Sequence, residues 1–83
     1  MSIPLTLGPK LRDGLLAFDA YQRDRDVRGR PMVDARLMEM GYPPNMADSI
    51  IRRLGDKGLI EWGVSDRTGW LTDEGRTVLE AVR

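Results

Sequence analysis

The side chains able to do chemistry gather between residues 43 and 72. Asn45, Asp48, Ser49, Arg52 and Arg53 recur there at the three- and four-residue steps that set side chains along one side of a helix. Arginine bridges O6 and N7 of guanine, and Asn or Ser serves several base edges. Arg67 stands in the turn-forming run Ser65-Asp66-Arg67-Thr68-Gly69. An arginine at a hairpin tip fits a narrow minor groove. A second cationic group is the run QRDRDVRGR, which holds Arg23, Arg25, Arg28 and Arg30, half offset by Asp24 and Asp26. Its arginines read as a solvated helix end and turn or, with Arg28 and Arg30 in front, as a phosphate-contacting corner. All of these groups hydrogen-bond, and the aspartates and arginines carry charge; no nucleophile with a base is among them.

The missing residue types exclude more. The chain has no cysteine and no histidine, which removes disulfide scaffolds, zinc fingers, and thiol or imidazole catalysis. No phosphate-binding loop, metal-ligand cluster or nucleophile with a base is present. Asp73 and Glu74 suit the first turn of a helix and are not a catalytic pair. A chain of 83 residues also has little room for a concave pocket of several hundred Å³. The expectation is a binding domain, not an enzyme, with no cofactor and no metal.

Thirteen basic and thirteen acidic residues cancel, and the pI is about 6.2. Free-standing nucleic-acid-binding domains often have a pI above about 9. A neutral balance weakens non-specific attraction to phosphate, yet it permits a local basic face. No apolar run approaches the roughly 18 residues that span a bilayer. The start, MSIPLTLGPKLRDG, lacks the basic onset and long apolar centre of a signal peptide. The expected setting is the cytoplasm.

These residues need elements to hold them. Residues 1–7 alternate Ile3, Leu5 and Leu7 with polar or proline positions, which reads as an extended arm or a loose terminus. Residues 8–83 form one domain. Gly8-Pro9 opens a first helix running to about Asp26, with Leu11, Leu15, Phe18 and Gln22 on one face. A second helix covers Met32 to Met40 and ends at Gly41. Tyr42-Pro43-Pro44 forces a turn. Asn45 then caps a third helix, with Asp48 completing a capping box. Ala47, Ile50, Ile51 and Leu54 face inward, and Gly58 closes that helix. Gly55 costs it about 1 kcal/mol relative to alanine and admits a close neighbour. Leu59 to Val64 has strand character, and Trp70-Leu71 returns. With the turn at Asp66-Arg67, Trp62 lies opposite Trp70 as a cross-strand pair. Thr72 caps a last helix, Asp73 to Val82, whose apolar face is Val78, Leu79 and Val82. The five methionines read mostly as core filler, with Met46 the one expected at the surface.

Two short helices joined by a glycine-containing turn are the helix-turn-helix signal. Gly41 is the turn glycine, with Leu37 before it and Ala47 and Ile50 after it. The stretch RLGDKGLIEWGVSDRTGWLTDEG, residues 53–75, resembles the winged-helix transcriptional regulators of the MarR type. The residues carrying the resemblance are Leu54, Lys57, Gly58, Leu59, Ile60, Asp66, Arg67, Leu71, Thr72 and Gly75. The fold it implies is mainly helical with a small hairpin: a winged helix-turn-helix of three core helices, a two-stranded wing and a C-terminal helix. It also implies that the third helix, about 45–57, enters the major groove of double-stranded DNA. The wing, 59–71, would then reach the adjacent backbone or minor groove. Carried onto this chain, Asn45, Asp48, Ser49, Arg52 and Arg53 face DNA, and Arg67 is the wing contact.

MarR-type proteins dimerise through long extra helices at both ends, and most of that material is not expected in these 83 residues. A homodimer would use the first helix, the last helix or the N-terminal arm. The expected function is a small DNA-binding regulator, either a transcriptional repressor or a phage- or plasmid-encoded control protein. The alternative is a winged-helix adaptor that binds a protein, favoured by zero net charge, by Asp48 and Asp56 beside the arginines, and by the two tryptophans.

Overall fold

A computed structural model describes residues 8–63 and 68–82. The arm at residues 1–7, and Val64, Ser65, Asp66 and Arg67 at the expected wing tip, lie outside the described residues. The elements run α1 (Pro9–Arg23), α2 (Val33–Glu39), α3 (Pro44–Asp56), β1 (Ile60–Trp62), β2 (Gly69–Leu71) and α4 (Asp73–Val82). The fold is mainly helical, with one two-stranded antiparallel hairpin. No helix among the described residues is long and apolar enough to cross a membrane.

α1 is the hub, packing against α2, α3, β2 and α4. Its stripe of Leu11, Leu15, Phe18 and Tyr21 is buried. Val33 and Leu37 of α2 join it, as do Ala47, Ile50, Ile51 and Leu54 of α3. Leu59, Ile60 and Leu71 bring in the hairpin, and Val78 and Leu79 bring in α4. Gly14 lets α1 and α3 cross closely: a Cβ there would stand 2.6 Å from Ile50 Cγ2 and Leu54 Cδ1.

Both helices that lead into the turns end in the same way. Tyr42 N–H donates to Leu37 O at 3.2 Å and Gly41 N–H to Met38 O at 3.0 Å. Gly41 takes φ 105°, a left-handed value that closes α2 in a Schellman motif. At the end of α3, Leu59 N–H donates to Leu54 O and Gly58 N–H to Gly55 O, both at 3.0 Å, with Gly58 at φ 72°.

Several expectations need correction. α1 stops at Arg23, short of Asp26. Asp24 and Asp26 are acids at the negative end of the helix dipole, where they disfavour another turn. Pro43, not Asn45, precedes α3, and Pro44 takes its first position. Proline lacks only an N–H that would have no partner there, so Asn45 is inside the helix and no side chain caps it. β1 ends at Trp62, and its register pairs Glu61 with Trp70 and Trp62 with Gly69. A one-residue shift exchanges faces, so the tryptophans are not a cross-strand pair. Met32, Met38 and Met40 are exposed, while Met46 packs against the core. The methionines of α2 and its flanks are therefore surface residues.

The stretch that carries the resemblance acts as a clasp. Thr72 Oγ1 donates to Gly58 O at 2.7 Å and accepts from Gly75 N–H at 3.0 Å. Thr72 N–H donates to Leu59 O at 3.1 Å. A Cβ at Gly75 would overlap the Leu59 carbonyl oxygen. The close of α3, the start of β1 and the cap of α4 are thus one hydrogen-bonded unit.

Candidate nucleic-acid interface

α3 is strongly amphipathic. Its buried side is Ala47, Ile50, Ile51 and Leu54. At 3.6 residues per turn, Asn45, Ser49, Arg52 and Asp56 occupy the centre of the opposite side, and all four are exposed. Arg53 lies on one flank and the half-buried Asp48 on the other. The helix is held from beneath by α1 and α2 and from one end by β1.

Asn45, Ser49 and Arg53 come together around a shallow depression of about 250 Å³ whose lining also includes Lys10, Met46 and Ile50. Lys10 had no place among the sequence candidates. It lies one turn before Gly14 on the same face of α1, and Gly14 is where α1 meets Ile50 and Leu54. The close crossing at that glycine brings the first turn of α1 beside the first turns of α3. A glycine inside an amphipathic helix was the signal that could have found it.

Arg30 belongs to a different place. Its guanidinium carbon stands 3.7 Å from the centroid of the Tyr21 ring, and its Nη1 donates to Tyr21 O at 2.9 Å. With Tyr21, Gln22, Arg25, Gly69 and Trp70 it lines an open groove of about 210 Å³ beside β2. Gln22 Oε1 accepts Leu71 N–H there at 2.9 Å, satisfying the outer edge of the hairpin. The strand packed on α3 is β1, whereas this groove borders β2. Arg30 is therefore not gathered with the α3 residues. Arg28 is exposed in the turn before it. Arg67 lies outside the described residues.

The ion pairs sort the charges of this neutral chain. Asp19 takes Arg23 at 3.1 Å and Arg76 at 3.4 Å, Asp24 takes Arg36 at 3.0 Å, and Asp13 stands 4.0 Å from Arg12. These pairs tie helices together or sit within α1. Lys10, Arg52 and Arg53 enter no ion pair among the described residues. Asp48 and Asp56 remain on the α3 surface beside them.

Trp62 and Trp70 are 44 % and 45 % exposed. Trp62 covers Gly55 of α3, where a Cβ would overlap the ring. Trp70 lies on the other face of the hairpin, its Nε1–H donating to Glu61 Oε2 at 3.0 Å. Among the described residues no group of His, Cys, Asp or Glu could hold a metal ion. Comparison with known proteins finds no matching family model, curated relative or solved structure.

Proposed function

We propose that the chain is a winged helix-turn-helix domain that binds double-stranded DNA as a small transcriptional regulator. In this reading α2, the Gly41 turn and α3 are the helix-turn-helix, and α3 enters the major groove. The hairpin is the wing and follows the adjacent backbone or minor groove. Asn45, Asp48, Ser49, Arg52 and Arg53 face the DNA, with Arg52 placed to reach base edges, and the wing's Arg67 adds a cationic contact. One observation carries the reading. Arg52 and Arg53 project from the exposed side of α3 and enter no ion pair among the described residues, whereas Asp19 and Asp24 are engaged with arginines of α1, α2 and α4. On α3 itself Asp48 and Asp56 balance the two arginines, so what supports the reading is the placement of two guanidinium groups available to DNA and not an excess of positive charge.

Few cations contact DNA from a single copy, so useful affinity at physiological salt calls for two copies on two half-sites. Among the described residues neither α1 nor α4 exposes a large apolar side chain, so a dimer built on them would be polar. Sedimentation with and without duplex measures this directly.

Selection of bound duplexes from a random pool, followed by gel shift of the enriched sequence, tests the proposal. Wild type should enrich a motif, and Arg52→Ala/Arg53→Ala should lose it. A pool that stays random through repeated rounds, or equal retention by the double variant, would overturn the reading.

The exposed Trp62 and Trp70, with Met38 on α2 and Met40 at its end, favour a second reading as a protein-binding adaptor, since exposed aromatics commonly anchor protein interfaces. A stoichiometric protein captured from nuclease-treated lysate, and lost with Trp70→Ala, would support it over DNA binding.

A further inference from the structure

Arg53 is on the flank of α3, not on its outward centre, and the depression beside it joins two helices. Lys10 of α1 and Arg53 of α3 border it, together with the amide of Asn45 and the hydroxyl of Ser49. Two cations and two short polar donors around about 250 Å³ suit a small, tetrahedral, singly charged oxyanion. Neither cation is neutralised locally. α1 and α3 both lack an acid in the first turn, and Asp48 is on the opposite flank of α3. The nearest carboxylate on α1, Asp13, accepts a hydrogen bond from Tyr42 and lies by Arg12. Met46 and Ile50 give the depression an apolar floor, so charge–oxyanion contacts there are screened less than on open surface.

We infer that Lys10 and Arg53 clamp a single backbone phosphate of the DNA duplex, with Asn45 and Ser49 completing its hydrogen bonds. This rests on the DNA-binding reading and assigns the two arginines of α3 different work. Arg52, at the outward centre, reaches base edges. Arg53, paired across the helix crossing with Lys10, fixes the register of the domain on the backbone and carries no sequence information. The clamp joins α1 to the interface, and Gly14 is what permits it, because a side chain there would push the first turn of α1 away from α3.

The salt dependence of binding counts neutralised phosphates, with a log–log slope of about −0.9 per phosphate on duplex DNA. Anisotropy of a labelled random-sequence duplex across a KCl series compares wild type, Lys10→Gln, Arg53→Gln and the double variant. Both residues are exposed, and circular-dichroism melts confirm that each variant keeps the fold. The double variant should lose about 0.9 from the slope, with neither single change losing more than the pair together. Lys10→Arg should keep the wild-type slope, and the motif enriched from a random pool should not change in Lys10→Gln. A wild-type slope in the double variant overturns the clamp, as does a loss of about 1.8, which would mean two separate phosphates. Absence of any wild-type binding overturns the DNA reading and the clamp with it. Binding with an unaltered slope overturns the clamp alone.

Discussion

Trp62 rests on Gly55 so closely that a Cβ at that glycine would overlap ring carbon Cζ2 and stand 2.7 Å from Cη2. The contact seats the hairpin on the last turn of α3. It also explains a glycine that costs a helix interior about 1 kcal/mol relative to alanine. Gly55→Ala should therefore yield no gain in melting temperature despite its better helix propensity, and the emission of Trp62, read in a Trp70→Phe background, should shift to the red as the ring is pushed into water. Adding Trp62→Ala should release the propensity gain. A Gly55→Ala protein with higher melting temperature and unchanged emission would contradict the contact.

The clasp at Thr72 separates two costs. Thr72→Val removes the hydroxyl that bonds Gly58 O and caps Gly75 N–H, a loss of about 1 kcal/mol by analogy with other helix caps. Gly75→Ala should cost more, at least about 2 kcal/mol, because its methyl would meet a backbone carbonyl that cannot swing aside. Urea unfolding of the two variants, compared at constant m value, reads the order directly.

Asp19 is buried on α1 beneath two arginines, Arg23 of its own helix and Arg76 of α4. Both arginines are half exposed, so removing the acid does not strand a charge in the core. Asp19→Ala should destabilise by about 2 kcal/mol, the scale of losing buried hydrogen bonds to charged groups. A double-mutant cycle with Arg76→Ala should return a coupling above zero, showing that the bond between α1 and α4 contributes to the loss.

Tyr42, in the turn between α2 and α3, donates its hydroxyl to Asp13 Oδ2 at 2.6 Å. That hydrogen bond, reinforced by partial burial and the negative charge of Asp13, raises the phenol above its ordinary value of 10.0. A raised pKa means the protonated form is favoured by folding. The stabilisation is fully present below pH 10 and is lost as pH rises through the higher folded value. Wild type should therefore lose stability above pH 10 more steeply than Tyr42→Phe, and the two curves should run parallel between pH 7 and 9. Thermal melts across that range check the sign.

The helices were legible because burial imposes a period. Ala47, Ile50, Ile51 and Leu54 announced the inner face of α3, and all four are buried. Thr72 was legible as a cap for the same local reason. The hairpin register was not. Alternation puts Ile60 and Trp62 on one face under either pairing, and the choice goes with contacts that the alternation does not show: Trp62 on Gly55, and Gly63 N–H donating to Thr68 O at 2.9 Å. The start of α3 was misplaced because Asn45 looked like a cap, while Pro44 itself can open a helix. At the candidate interface, Asn45, Ser49 and Arg53 could be grouped by helical spacing alone. Lys10 could not, since its place depends on how α1 crosses α3. In the stretch that looked most specific, Leu54 to Gly75, the residues Gly58, Leu59, Thr72 and Gly75 hold the backbone together, so they speak for architecture more than for a ligand.

The bond from Leu71 N–H to Gln22 Oε1 spans 49 residues, and the hub helix it reaches is made first. On a ribosome adding about 5–20 residues per second, roughly 2.5–10 s separate the two partners. Throughout that interval the apolar stripe of α1 has no β2 or α4 to lie against. The domain should therefore complete its fold only once β2 and α4 have been made. A nascent chain stalled before Leu71 should remain a substrate for chaperones and proteases, however sound its first three helices are.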